Sequence, residues 1–304
     1  MIGLPAATLD RYRRCSLYNS PFPAHDRGHA VDLYPEGGRR SVVAPSPVAG
    51  VVRDVLTVRA PSRPYAARDD HLVLVDVDAA ASGLRVDRPD RERGTGGADP
   101  ALVARVLHVD PAVTPGDRVA VGDPLGETVR SGFFAPWVAD HVHLDVRPAD
   151  RNLRRATGSL PLAIDVAVEA LPWGGTGRVV ETGGTYAVLD APAHPAPGER
   201  WVGVAGAPGV ALDGGFPHYG GGGAHAAAGP GAEVSLAGTR VGRVGDDGRT
   251  VGWRAATVTA NGHPLTGVSL FLARDSFGAK LVSRDGHPFD VGERVTIAVA
   301  VDGE

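Results

Sequence analysis

VTPGDRVAVGDPLGE, residues 113–127, is a β-hairpin legible in the order of its side chains. Val119 and Val121 alternate with Arg118 and Ala120, the period of a strand that buries one face, and Gly116 and Gly122 stand at the two turns. A second module of the same kind, SPVAGVVRDV, fills residues 46–55. Outward from these modules the chain continues in short Val-, Leu- and Ile-rich runs separated by glycine and proline: HAVDLY (29–34), HLVLVDVD (71–78), HVHLDVR (141–147), AIDVAVEAL (163–171), RWVGVA (200–205) and RVTIAVAV (294–301). Only ALVARVLHV (101–109) has the alanine and leucine content to compete as a short helix.

These patterns predict an all-β protein. The first domain, residues 1–157, is expected to be an antiparallel β-sandwich of short hairpins, and residues 158–304 a second β-rich domain. The boundary falls in RPADRNLRRATGSLP, residues 147–161. Two loops are expected, over residues 86–99 and over the Gly-, Ala- and Pro-rich residues 205–232. Trp173, Trp201 and Trp253 are expected to fill the core of the second domain rather than to line a sugar site.

Composition narrows the function. A net charge of −4 argues against a nucleic-acid partner. Cys15 is the single cysteine, so a metal would have to be held by histidines and carboxylates. No apolar run is long enough to span a bilayer, and the start, MIGLPAATLDRYRRC, lacks the pattern of an export signal; both predict a cytoplasmic protein without a transmembrane segment. Lys280, the only lysine, lies far from the hairpin modules, which disfavours a lipoyl- or biotinyl-type carrier with its modified lysine at a hairpin tip.

The segment HVHLDVR carries most of the chemistry. Residues two apart on a strand project from one face roughly 6.6–6.8 Å apart, so His141 and His143 point into one site while Leu144 and Val146 pack behind. Upstream, FPAHDRGHAVDLYP (22–35) sets Asp32 among apolar neighbours, where an unpaired carboxylate is costly to bury and a cation would justify it. Two histidines compete to join Asp32. In an extended chain His29 faces away from it, whereas His25, in the preceding loop, can swing to its side. His108, in ARVLHVDP (104–111), is a further histidine placed just before the hairpin module at 113–127.

The order of these elements over residues 22–148 resembles the LytM/lysostaphin-type zinc metalloendopeptidases. It runs from a His and an Asp through a Gly-Val-Val hairpin and a lone His before a Val- and Gly-punctuated module to His-x-His-Leu. The resemblance implies a Zn²⁺ ion held by His25, Asp32 and His143, with His108 and His141 as the catalytic pair. It also implies a peptide substrate of the cell-wall type. The first motif departs from the compact family form, because His25 and Asp32 are more widely spaced, and His108 lies in VLHV without the usual tyrosine. The competing expectation is a catalytically inactive peptidase-like module kept for binding or as scaffold. The zinc content of the purified protein separates the two, since an inactive module lacks stoichiometric metal.

Overall fold

The computed structural model describes residues 1–37, 41–87, 101–225 and 228–303. The protein is nearly all β, with 48% strand and 3% helix, in two compact units built on antiparallel sheets. The first unit comprises Met1–Tyr12 and Gly28–Val166, the second Arg13–Arg27 and Ala167–Glu304. The run AIDVAVEAL is therefore divided. Leu162–Ile164 pairs in parallel with Ile2–Leu4 in the first unit, and Val168–Leu171 pairs in parallel with Trp201–Ala207 in the second. Most of the loop expected over residues 86–99 lies outside the described residues, but Arg85–Val86 forms a short strand antiparallel to Ile2–Leu4.

In the first unit the main sheet is built by antiparallel pairing. Gly50–Arg59 pairs with Asp69–Val77, which pairs with Leu102–Leu107; next comes Val142–Pro148 and finally Val31–Pro35. Leu102–Leu107 is thus a strand and not a helix, because its Val103, Ala104 and Val106 are wholly buried between two neighbouring strands. The middle strands are covered on both faces. Leu72, Leu74 and Val103 cluster on one, with Leu56, Val58 and Leu107 packed against them. Val142, Leu144 and Val146 alternate with His143 and Asp145 and therefore face the other way, fully buried. The hairpin at 113–127 turns at Gly116 and Gly122, both at positive φ (99° and 91°), where a side chain would strain the backbone. At each turn an aspartate closes the bend: Asp117 accepts from the Thr114 N–H and Asp123 from the Ala120 N–H.

The core of the second unit includes Trp173, Val179, Leu212, Phe216, Val234, Val268, Leu281 and Ile297, with Trp253 packed against it. Trp201 is buried as well. Residues 205–232 do not form the single loop that their composition predicts. They contain the strands Val210–Phe216 and Gly222–His225, antiparallel to one another, and every residue of the first is buried. The glycines serve packing rather than flexibility. A Cβ at Gly222 would lie 2.1 Å from the Trp253 ring, and one at Gly223 would lie 2.1 Å from the Tyr18 ring.

Beside this core, burial holds the His218 imidazole down at about 4, the ring packing on Tyr219 at 4.5 Å between centroids. Between pH 6.5 and 4 the unfolded chain gains a proton there that the folded chain does not. Stability is therefore fully present above about pH 6.5 and lost as pH falls toward 4. The expected loss is roughly 3 kcal/mol, at about 1.4 kcal/mol per pH unit. His218→Gln should remove this part of the pH dependence of urea unfolding. An identical pH dependence in wild type and variant would show that His218 is not its source.

No helix among the described residues is long and apolar enough to cross a membrane.

Candidate metal centre

Register brings the first two residues together. In the antiparallel pairing of Val142–Pro148 with Val31–Pro35, His143 stands directly opposite Asp32, and their side chains share a face. The His143 Nδ1 lies 3.0 Å from Asp32 Oδ1. His141, immediately before the strand, brings its Nε2 to 3.3 Å from the same oxygen. Its Nδ1 donates to the Ala139 carbonyl at 3.0 Å, which fixes the ring. His25 lies in a single helical turn, Pro23–Asp26, opened by a proline at its first position. It belongs to the second unit, whereas Asp32, His108, His141 and His143 belong to the first.

The ring nitrogens are sorted by their second partners. The His25 Nδ1 donates to the Leu17 carbonyl at 2.8 Å, so the nitrogen suited to a cation is Nε2. For His143 the order is reversed: its Nε2 faces Asp145 Oδ2 at 3.6 Å and its Nδ1 faces Asp32. Burial works against a proton on His143. Carboxylates on both sides, Asp145 and Asp32, outweigh it and raise the ring to about 9. Positive charge is thus stabilised at the Nδ1 side, where a cation and a proton compete.

His108 completes the cluster from the far side of the sheet register. It follows Leu107, which pairs with His143, and adopts a positive φ of 69°. That backbone conformation is costly for a residue with a Cβ, and here it accompanies a ring turned toward its neighbours. The His108 ring centroid is 5.3 Å from that of His141 and 5.8 Å from that of His143. Its Nδ1 donates to Asp70 Oδ2 at 2.6 Å, and its backbone N–H donates to Asp70 Oδ1 at 3.1 Å. Ser131 Oγ also donates to that carboxylate. Burial lowers the His108 basicity more than Asp70 raises it, which favours the neutral ring with its lone pair on Nε2. Phe134 walls the pair, stacked on His141 at 4.3 Å and edge-on to His108 at 4.7 Å.

Several members of this arrangement were not assigned from sequence. Asp145 sits within HVHLDVR two residues after His143, a spacing that could have marked it as the partner behind the ring. Asp70 stands in DDHLVLV, where nothing local points to His108. Ser131 and Phe134 belong to a loop without any recognisable motif.

Residues 3–164 match the N-terminal domain, and residues 169–300 the C-terminal domain, of a family described as a domain of unknown function, DUF8155. No curated protein and no solved structure matches the chain. The N-terminal match alone spans more than half of the sequence, and the chain belongs to the DUF8155 family.

Proposed function

We propose that the chain is a zinc-dependent metalloendopeptidase of the LytM/lysostaphin type. The observation that carries this reading is the cluster within the first unit, where His143 Nδ1 and His141 Nε2 lie 3.0 and 3.3 Å from Asp32 Oδ1 with the His108 ring alongside; His25 is the third ligand by the family resemblance. The donor set fits the ion. Two imidazoles and one carboxylate are the ligands of a catalytic Zn²⁺ site that keeps a position open. When bound, Zn²⁺ supplies an activated water, with a pKa brought to about 7, and polarises a substrate carbonyl.

The remaining roles belong to the chain's own side chains. Asp70 fixes His108 as the Nδ1–H tautomer, so its Nε2 is the proton acceptor of the site. His141, held through its Nδ1 by Ala139, presents its Nε2 to a developing oxyanion as a hydrogen-bond donor when it carries a proton there. Phe134 holds both rings and limits the access of bulk water to them. The substrate in this reading is a peptide of the cell-wall type, taken from the family resemblance alone.

The test combines metal analysis with hydrolysis of Gly- and D-Ala-containing cell-wall peptides by the purified full chain. Expected are one zinc per chain and hydrolysis that a chelator abolishes and added zinc restores. His108→Ala should retain zinc while hydrolysis falls about 10²- to 10⁴-fold, the contribution of a positioned base. A chain that purifies without zinc and takes none up would end the peptidase reading.

A further inference from the structure

Asp213 is wholly buried on strand Val210–Phe216 of the second unit. Its partners are the Ser16 hydroxyl, which donates to Oδ1, the Leu17 N–H at 2.6 Å and His225 Nε2 at 3.1 Å, both on Oδ2. Two of these three donors come from one short stretch, Ser16–Leu17. That stretch follows strand residues Arg14 and Cys15, which pair with Leu272–Ala273 of the same unit. Leu17 is thus held at both of its backbone polar groups. Its N–H is bound by Asp213, and its carbonyl accepts the Nδ1–H of His25 at 2.8 Å.

We infer that Asp213 is a positioning residue for His25, acting through the backbone of Leu17 to set the tautomer and angle of the imidazole. The inference rests on the zinc-site reading for its consequence in metal affinity. A neutral histidine has one N–H, and the carbonyl it meets decides which nitrogen carries it. If the Leu17 carbonyl moves, His25 can place its proton on Nε2, the nitrogen that the metal requires bare. Burying a carboxylate to hold two backbone-linked donors is costly, and fixing this carbonyl supplies a reason for it. Ser16 strengthens the clamp, because its Oγ also accepts the Asn19 N–H at 3.0 Å, while the Asn19 amide donates to Ser269 Oγ at 2.6 Å and to the Leu270 carbonyl at 3.0 Å.

The test measures zinc dissociation constants by competition with a chromophoric chelator. It uses full-length wild type, Asp213→Asn, Ser16→Ala, His25→Gln and the double variant His25→Gln/Asp213→Asn. Asp213→Asn is expected to weaken zinc binding about 10- to 100-fold, the range seen when outer partners of a ligand are changed. In the His25→Gln background the same change should cost nothing further, because the ring it positions is gone. In metal-free protein, imidazole ¹⁵N spectra should show His25 as the Nδ1–H tautomer in wild type and a shift toward Nε2–H in Asp213→Asn. Should Asp213→Asn fail to fold, Ser16→Ala carries the same comparisons with a smaller shift.

Wild-type zinc affinity in Asp213→Asn with an unchanged His25 tautomer would overturn the positioning role and leave the peptidase reading standing. An equal further loss in the His25→Gln background would overturn it too, since that marks a general structural role. A wild type that takes up no zinc would remove both.

Discussion

Asp32→Ala and His143→Ala are each expected to purify without zinc, whereas His141→Ala retains it and loses hydrolysis. Asp32 is the point on which the site turns. Its Oδ1 lies 3.0 Å from His143 Nδ1 and 3.3 Å from His141 Nε2, and it is only 4% exposed. Without that carboxylate the cluster offers imidazoles alone, and the anion that favours a cation over neutral surroundings is lost. His143 fails for a different reason. Its ring stands between Asp32 and Asp145, so its removal deletes a ligand and leaves two buried carboxylates facing each other. His141 is set apart by its second nitrogen, which donates to Ala139 rather than to a carboxylate. Metal content by elemental analysis, read beside near-ultraviolet circular dichroism to establish that each variant is folded, decides the matter. If His141→Ala loses zinc as completely as His143→Ala, the division of roles within HVH is mistaken.

The parts of this arrangement that sequence made legible are those that depend on period. Alternation in HVHLDVR separates His143 from Leu144 and Val146, and the structure keeps them on opposite faces of one strand. The turns at Gly116 and Gly122 follow from backbone chemistry that only glycine meets easily. What period cannot supply is register. That Asp32 lies opposite His143, and Leu107 opposite it on the other side, depends on pairings between strands remote in sequence. Asp70 reaches His108 for the same reason, since Leu72 pairs with Leu107 one step along the ladder. Composition misled at 205–232, where glycine content reads as a loop. The glycines there are small because Tyr18 and Trp253 occupy the space, and those partners are invisible in a local window. Membership of Arg13–Arg27 in the second unit is likewise a matter of pairing with Leu272–Ala273, which no local signal announces.

The second large effect is expected at Asp145, which should prove a stability residue as well as a partner of His143. It is 1% exposed and accepts from Arg105 Nη1 at 2.5 Å, Arg147 Nε at 3.2 Å and Ser159 Oγ at 2.8 Å. Arg105 stands directly across the ladder from Asp145, and Arg147 is completely buried two residues further along the same face. Burial alone would raise the Asp145 carboxyl, but His143 and the two guanidinium groups bring it below its ordinary value. Asp145→Ala leaves both guanidinium groups in the interior without their anion, at an expected cost of about 3–5 kcal/mol. Urea unfolding of the full chain, followed through the transition of the first unit, measures it. A loss below about 1 kcal/mol would mean that water or a relaxed backbone replaces the carboxylate.

Buried charge of this kind is rarely the most stable solution, and a further variant separates stability from function. Replacing Arg105, Asp145 and Arg147 together by apolar residues of similar size is expected to restore most of the stability lost in Asp145→Ala, because no charge remains to be desolvated. Zinc affinity should not recover. His143 Nε2 would still lack its carboxylate, and loss of such an outer partner weakens metal binding about 10- to 100-fold. Recovery of stability without recovery of zinc would show that the network behind His143 is held for the site. Recovery of both would assign it to the fold alone.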